Sequence, residues 1–220
     1  MRSLKKVFVF MMMAAFIVCL AAAAHSTPST LVWIPTTDIQ PAGQGHLGID
    51  VYAPSKGFAL TDYGVTYGTG KIEYGVDYLA QSGLEDPLRL NGKVLLKAET
   101  SKYPALAVGI FDLGGTAASN QAYILGSKTF SAGRLTLGYS NGKKSVLGTD
   151  NNMLLVGFDK TLSKKWWVGA DYQSGQSGFG ALSAGLQYTF TPTTSMILGY
   201  DRWNNRSLSD TITMQFDMNY

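Results

Sequence analysis

Hydrophobic and polar residues alternate along almost the whole chain from residue 45 onward. A short unit recurs within this alternation: hydrophobic, Gly, hydrophobic, then usually polar. It appears as LGID (47–50), YGVT (63–66), YGVD (74–77), VGIF (108–111), LGYS (137–140), VGFD (156–159), VGAD (168–171), AGLQ (184–187) and LGYD (198–201). A period of two is the side-chain period of a β-strand, whose neighbours point to opposite faces. The unequal spacing of the units rules out a solenoid repeat. Turn signals lie between them: PSKG, GTG, SKYP, SAG, LSKK and TPTT. The pattern predicts about twelve strands of roughly ten residues, the length that crosses a bilayer when tilted. They fall near 45–54, 59–68, 71–80, 92–100, 104–113, 120–129, 133–141, 152–160, 165–173, 180–190, 194–202 and 210–220.

One parity carries Leu47, Ile49 and Val51, then Tyr63, Val65 and Tyr67, and later Trp166, Val168 and Tyr172. The other carries Gly, Asp, Lys, Ser, Thr and Gln. In a soluble sandwich the apolar face must meet a second sheet. In a membrane barrel it meets lipid, Tyr and Trp gather at the two interfaces, and closure removes the sheet edges. Connection lengths give an independent check. With a periplasmic N-terminus, the even-numbered connections should be short turns, and GTG, SKYP, SAG, LSKK and TPTT fit. The odd ones are longer, except PSKG. The expected fold is all-β, a transmembrane antiparallel β-barrel of about twelve strands spanning residues 44–220.

The N-terminus changes the picture of location. Arg2, Lys5 and Lys6 precede an apolar run, Val7 to Leu20, and small residues at Ala21 to Ala24. This reads as a secretory signal peptide over residues 1–24. Cys19 is the sole cysteine and lies inside it, so the remainder has no disulfide to rely on. The chain has 18 basic and 15 acidic residues, and three of the basic ones belong to the signal. The rest is balanced, and nothing in it points to nucleic acid. Residues 25–43 contain Pro28, Pro35 and Pro41 and cannot form a central strand. Leu31, Val32, Trp33 and Ile34 in that segment require burial, either as a plug in the barrel or at the periplasmic interface.

The inward parity places charges at approximate heights. Asp50, Asp62, Asp77, Asp171 and Asp201 fall in the outer half with Lys93. Lys71, Lys97, Lys128 and Arg134 fall in the inner half with Glu73, Glu99, Asp159 and Asp217. Carboxylate rings favour cations in a pore, which predicts a weakly cation-preferring lumen. The same charges could instead form lumenal salt bridges, since small barrels fill their interiors. The inward glycines allow either sheet curvature or the close approach of a ligand or of the N-terminal segment.

Catalytic chemistry is thinly represented. A barrel hydrolase needs a nucleophile or water activated by a base, usually His. The chain has only His25 and His46, and His46 sits in an H-L-G context with no nucleophile beside it. GVTYGTGK (64–71) has its first Gly out of register for a phosphate loop, and Ile72 stands where Ser or Thr is required. There is no His/Cys metal cluster. No enzyme activity, metal or cofactor is expected.

The last ten residues, TITMQFDMNY, alternate to the end and finish on an aromatic. This resembles the terminal strand of bacterial outer-membrane barrels. The resemblance implies that Phe216, Met218 and Tyr220 are read by the outer-membrane assembly machinery. The stretch IPTTDIQPAGQGHLGIDVY (34–52) resembles the entry into barrels of the YjbH type, associated with exopolysaccharide production, and NGKVLL (91–96) and PALAVGIFDLGG (104–115) echo it. The resemblance implies a bacterial outer-membrane location, lipid partners and a polysaccharide context. Size and strand count are similar to those of small oligosaccharide porins. Two functions are therefore expected: passive passage of small hydrophilic solutes or ions, or a closed structural barrel serving envelope assembly.

Overall fold

The computed structural model describes residues 29–81, 87–114 and 120–220. The expected signal peptide lies outside the described residues. Twelve strands form: β1 (Gly45–Pro54), β2 (Leu60–Gly68), β3 (Ile72–Ala80), β4 (Leu88–Lys97), β5 (Ala105–Phe111), β6 (Gln121–Phe130), β7 (Gly133–Gly142), β8 (Asn152–Thr161), β9 (Trp166–Gln173), β10 (Ala181–Thr191), β11 (Thr194–Trp203) and β12 (Thr211–Asn219). Each pairs antiparallel with its sequence neighbours, and β12 pairs with β1 to close the barrel. One helical turn, α1 (Lys144–Leu147), lies between β7 and β8.

Closure runs to the end of the chain. The register pairs His46 with Asn219 and Pro54 with Thr211. Beyond it, Tyr220 and Gly45 exchange two backbone hydrogen bonds of 2.9 Å. The alternation of the terminal strand is thus the wall of the barrel. Ile212 and Met214 face outward at 57% and 42% exposure, while Thr213 and Gln215 point inward at 0% and 3%. Exposed aromatics form two outward tiers, as lipid interfaces require. Trp166, Phe190 and Phe130 lie toward the short-turn end, and Tyr63, Tyr78, Tyr139 and Tyr200 toward the long-loop end.

One strand departs from the sequence expectation. The wall resumes at Leu88, four residues before the expected start at 92, because Leu88, Arg89 and Leu90 already alternate and pair with β3 from Tyr78 inward. A bulge between Leu95 and Lys97 then flips the parity, and Lys97 pairs with outward Leu106. Lys97 therefore stands over the Tyr103 ring at 3.7 Å outside the lumen, beside the short β4–β5 turn. Lys128 also lies on the outward parity and holds Glu99 at 3.2 Å. Neither lysine reaches the lumen. Lys71 precedes β3 in an exposed turn, because the chain is still turning through the Thr69–Ile72 backbone bond.

Candidate functional site: the lumen and its N-terminal hairpin

The interior is occupied by residues 29–36, which fold as a tight hairpin inside the barrel. Thr30 and Pro35 form an antiparallel bridge. The Leu31 amide donates to the Ile34 carbonyl at 2.8 Å, and the Thr36 amide to the Ser29 carbonyl at 3.0 Å. The tip carries the apolar residues that demanded burial. Leu31, Val32 and Ile34 are 0–1% exposed. Leu31 and Ile34 pack with Tyr123, Leu125 and Leu155 of the wall.

Inward glycines make the seat. A Cβ on Gly157 would lie 2.5 Å from a Leu31 methyl and 3.1 Å from one of Ile34. On Gly185 and Gly199 it would lie 3.0 and 3.1 Å from the methyls of Val32. At these positions the missing side chain is the space the hairpin fills.

Polar groups fix the hairpin at both ends. Asp171 Oδ2 accepts the backbone N–H groups of Val32, Trp33 and Ile34 at 2.8, 2.9 and 3.4 Å. Gln215 donates to the Val32 carbonyl at 2.6 Å. The Trp33 indole donates to the Phe179 carbonyl at 2.8 Å and meets Trp203 edge-on at 5.0 Å between ring centres. Lower down, Lys93 donates to the Ser29 carbonyl at 3.1 Å and pairs with Glu73 at 3.4 Å. The Gln40 amide donates to Glu73 at 2.9 Å. Arg134 clamps Asp38 at 2.7 Å and Asp159 at 2.9 Å.

The residues singled out by charge thus divide into groups. Asp171 and Arg134 hold the hairpin. Lys93 does too, at the height of its register partner Glu73 rather than in the outer half, because β4 begins early. Asp201 is fully buried and accepts the Thr211 hydroxyl at 2.8 Å. Asp50, Asp62 and Asp77 remain on the opposite wall, on β1, β2 and β3, and line a cavity of about 720 Å³. His46 lies in the same cavity wall, 2.8 Å from Asn219 and 3.4 Å from Asp217.

Sequence reasoning missed Arg89. It falls between the expected third and fourth strands, yet it points inward opposite Asp77 and lies 3.9 Å from Asp112. The Leu-Arg-Leu alternation was the available signal. A second space of about 990 Å³ opens at the short-turn end, between Arg134, Trp167 and Gln187. Among the described residues no group of three His, Cys, Asp or Glu could hold a metal ion.

The model of the YjbH family, exopolysaccharide biosynthesis protein YbjH, matches residues 89–218. The chain belongs to that family. The match runs from β4 through β12 of this YjbH-family barrel, so the hairpin and the acidic wall of β1 to β3 lie before it. No curated protein matches the sequence. A solved structure of the NanC porin in a rhombohedral crystal form is similar with a TM-score of 0.50 at 12% identity, over 79% of this chain and 98% of that one. At that identity the likeness shows the barrel fold alone. A second structure, from work on in-meso crystallization of membrane proteins, reaches a TM-score of 0.46 at 14% identity, over 80% and 83% of the two chains. The YjbH-family chain is an outer-membrane-type β-barrel whose lumen is divided by its own N-terminal hairpin.

Proposed function

We propose that the chain resides in the bacterial outer membrane as a barrel closed at rest by its hairpin, serving exopolysaccharide production at the envelope. The observation that carries this reading is the seat of residues 31–34. Apolar side chains fill inward glycine positions, and Asp171 takes three consecutive amides. A segment seated so completely interrupts a straight water path. Family membership supports the process, and the outward apolar belt supports lipid as the surrounding partner. Delivery by the outer-membrane assembly machinery would use the terminal Phe216, Met218 and Tyr220. Neither catalysis nor a cofactor enters the reading.

One observation favours a second reading, a passive channel for small hydrophilic solutes or ions. The hairpin leaves space on both its sides, and Thr30 lies in the wall of both cavities. A modest shift of the hairpin would join them.

Conductance distinguishes the readings. Residues 25–220 are refolded into a planar bilayer beside a variant lacking residues 29–36, and folding is checked by a mobility change on boiling. The closed-barrel reading expects a silent parent chain and steady steps from the deletion. Steady steps from the parent transfer the support to the channel. Silence from both folded proteins overturns the hairpin as the closing element.

A further inference from the structure

The cavity on the β1–β4 wall holds carboxylates without cations of their own. Asp50 and Asp62 are direct cross-strand partners. Like charges in that position repel. Asp77 on β3 leans over its cross-strand partner Gly64, two residues from Asp62 on β2, with one carboxylate oxygen 2.9 Å from where a Cβ of Gly64 would sit. Of the basic groups lining this cavity, Arg89 pairs with Asp112, Lys93 with Glu73, and His46 with Asp217 and Asn219, while Lys56 stands exposed in the β1–β2 turn and pairs with no carboxylate among the described residues. Among the described residues no basic side chain forms an ion pair with Asp50, Asp62 or Asp77. One oxygen of Asp62 is shut off from solvent and has no hydrogen-bond donor.

A second feature is independent of the charges. Gln121 lines the same cavity, is wholly buried, and has no partner for either its amide oxygen or its amide nitrogen. Buried polar groups are nearly always satisfied, so an orphaned amide facing a cavity calls for a ligand group. Aromatic rings complete the wall. Trp33 at the hairpin tip meets Tyr52 edge-on at 5.5 Å. A cation placed over the face of such a ring is attracted to it. A bare metal ion fits poorly, because no three acidic or His groups among the described residues lie close enough to coordinate one. A space of about 720 Å³ suits a molecule rather than an ion.

We propose that this cavity binds a small organic ammonium compound, entering from the long-loop end. Its ammonium groups pair with Asp50, Asp62 and Asp77, its body lies against Trp33 and Tyr52, and a polar group satisfies Gln121. The inference goes beyond the closed-barrel reading and does not require the lumen to conduct.

Two sources share this chemistry, free polyamines and amino sugars. Calorimetric titration of the refolded, detergent-solubilised barrel at low salt separates them, with spermidine and glucosamine as probes and glucose and calcium chloride as comparators. At least one ammonium probe binds at one per barrel and weakens with salt, while glucose gives no heat. The combined substitution Asp50→Asn, Asp62→Asn, Asp77→Asn lowers the affinity at least tenfold, and Asp150→Asn on an outer loop leaves it unchanged. Binding of spermidine alone assigns a polyamine, and of glucosamine alone an amino sugar. Failure of both probes, calcium binding as tightly as either, or an unaltered affinity in the triple variant overturns the proposal. Should the triple variant not fold, Asp62→Asn and Gln121→Leu are measured singly. Both must weaken binding, and no change in either overturns the proposal.

Discussion

Replacing Asp171 with Ala tests how the hairpin is held. The carboxylate accepts three consecutive backbone amides, two at 2.8 and 2.9 Å and a third at 3.4 Å. Ala offers no acceptor, and Val32 and Ile34 are shielded from water, so their amides lose their partner in the docked state. A buried donor left unpaired costs about 1–3 kcal/mol. The two buried donors, Val32 and Ile34, together therefore cost about 2–6 kcal/mol on that scale, with the long Ile34 bond pulling the sum toward the lower end. Only the docked state suffers this loss, since a released hairpin hydrates its amides. At about 1.4 kcal/mol per tenfold, even the lower end shifts the docked-to-released ratio on the order of thirtyfold. The barrel wall keeps its backbone ladder, because Asp171 contributes its own pairing through main-chain atoms. Amide exchange at residues 31–36 should accelerate by that factor while exchange in β9 and β10 stays slow. Brief conductance steps should appear in bilayers. Unchanged exchange at residues 31–36 would refute the reasoning and leave apolar packing as the sole tether.

Other perturbations bear on the same architecture. Gly157→Leu places a side chain where the Leu31 and Ile34 methyls now sit, so it should displace the tip and shift Trp33 fluorescence without unfolding the barrel. Asp38→Asn removes the charge that Arg134 clamps at a partly buried position and leaves the Arg134–Asp159 pair in place. The loss should be about 1 kcal/mol or less, seen as faster exchange near residue 38 that high salt reproduces in the parent. Deleting Tyr220 removes the two terminal bonds to Gly45 and should lower the temperature at which the folded gel band is lost. In the β11–β12 loop, the Arg206 side chain holds the Asp210 carboxyl below the usual carboxylate range, and Asp210 in turn accepts the Trp203 amide. Support from a depressed carboxyl is present above its ordinary pKa and lost as pH falls through the lowered value. The Trp203 amide resonance should titrate in that low range, and Asp210→Asn should abolish the titration.

Strand number, order and most boundaries were readable because lipid imposes a strict rule: outward positions must be apolar, and each outward residue fixes the parity of its neighbours. The rule lapses where the wall is irregular. At Leu95–Lys97 a bulge shifts the parity by one, and nothing local marks it. At Leu88–Leu90 the alternation was present but stood behind Glu85-Asp86-Pro87, whose turn chemistry masked it. The lumen was harder to read for a different reason. Inward residues have no uniform partner, so their roles depend on what else enters the barrel. Asp171 and Asp77 look alike in sequence, each following Gly and a hydrophobic residue. One holds three hairpin amides, while the other faces a cavity.

The hairpin makes sense of that asymmetry. It leans on β7 to β12, where Gly157, Gly185 and Gly199 give it room and Asp171, Arg134 and Gln215 give it partners. On that side the inward polar residues serve as an internal core: Asp159 pairs with Arg134, Asp171 takes the hairpin amides and Asp201 the Thr211 hydroxyl. On the side of β1 to β4 the wall faces open volume, and Asp50 and Asp62 lie opposite each other without a basic partner among the described residues. A barrel evenly filled by its own side chains would distribute its charges evenly. A plain pore would need no seat of missing side chains. The uneven arrangement is what a barrel requires when one half of its lumen docks a segment of the same chain and the other half stays open to a ligand.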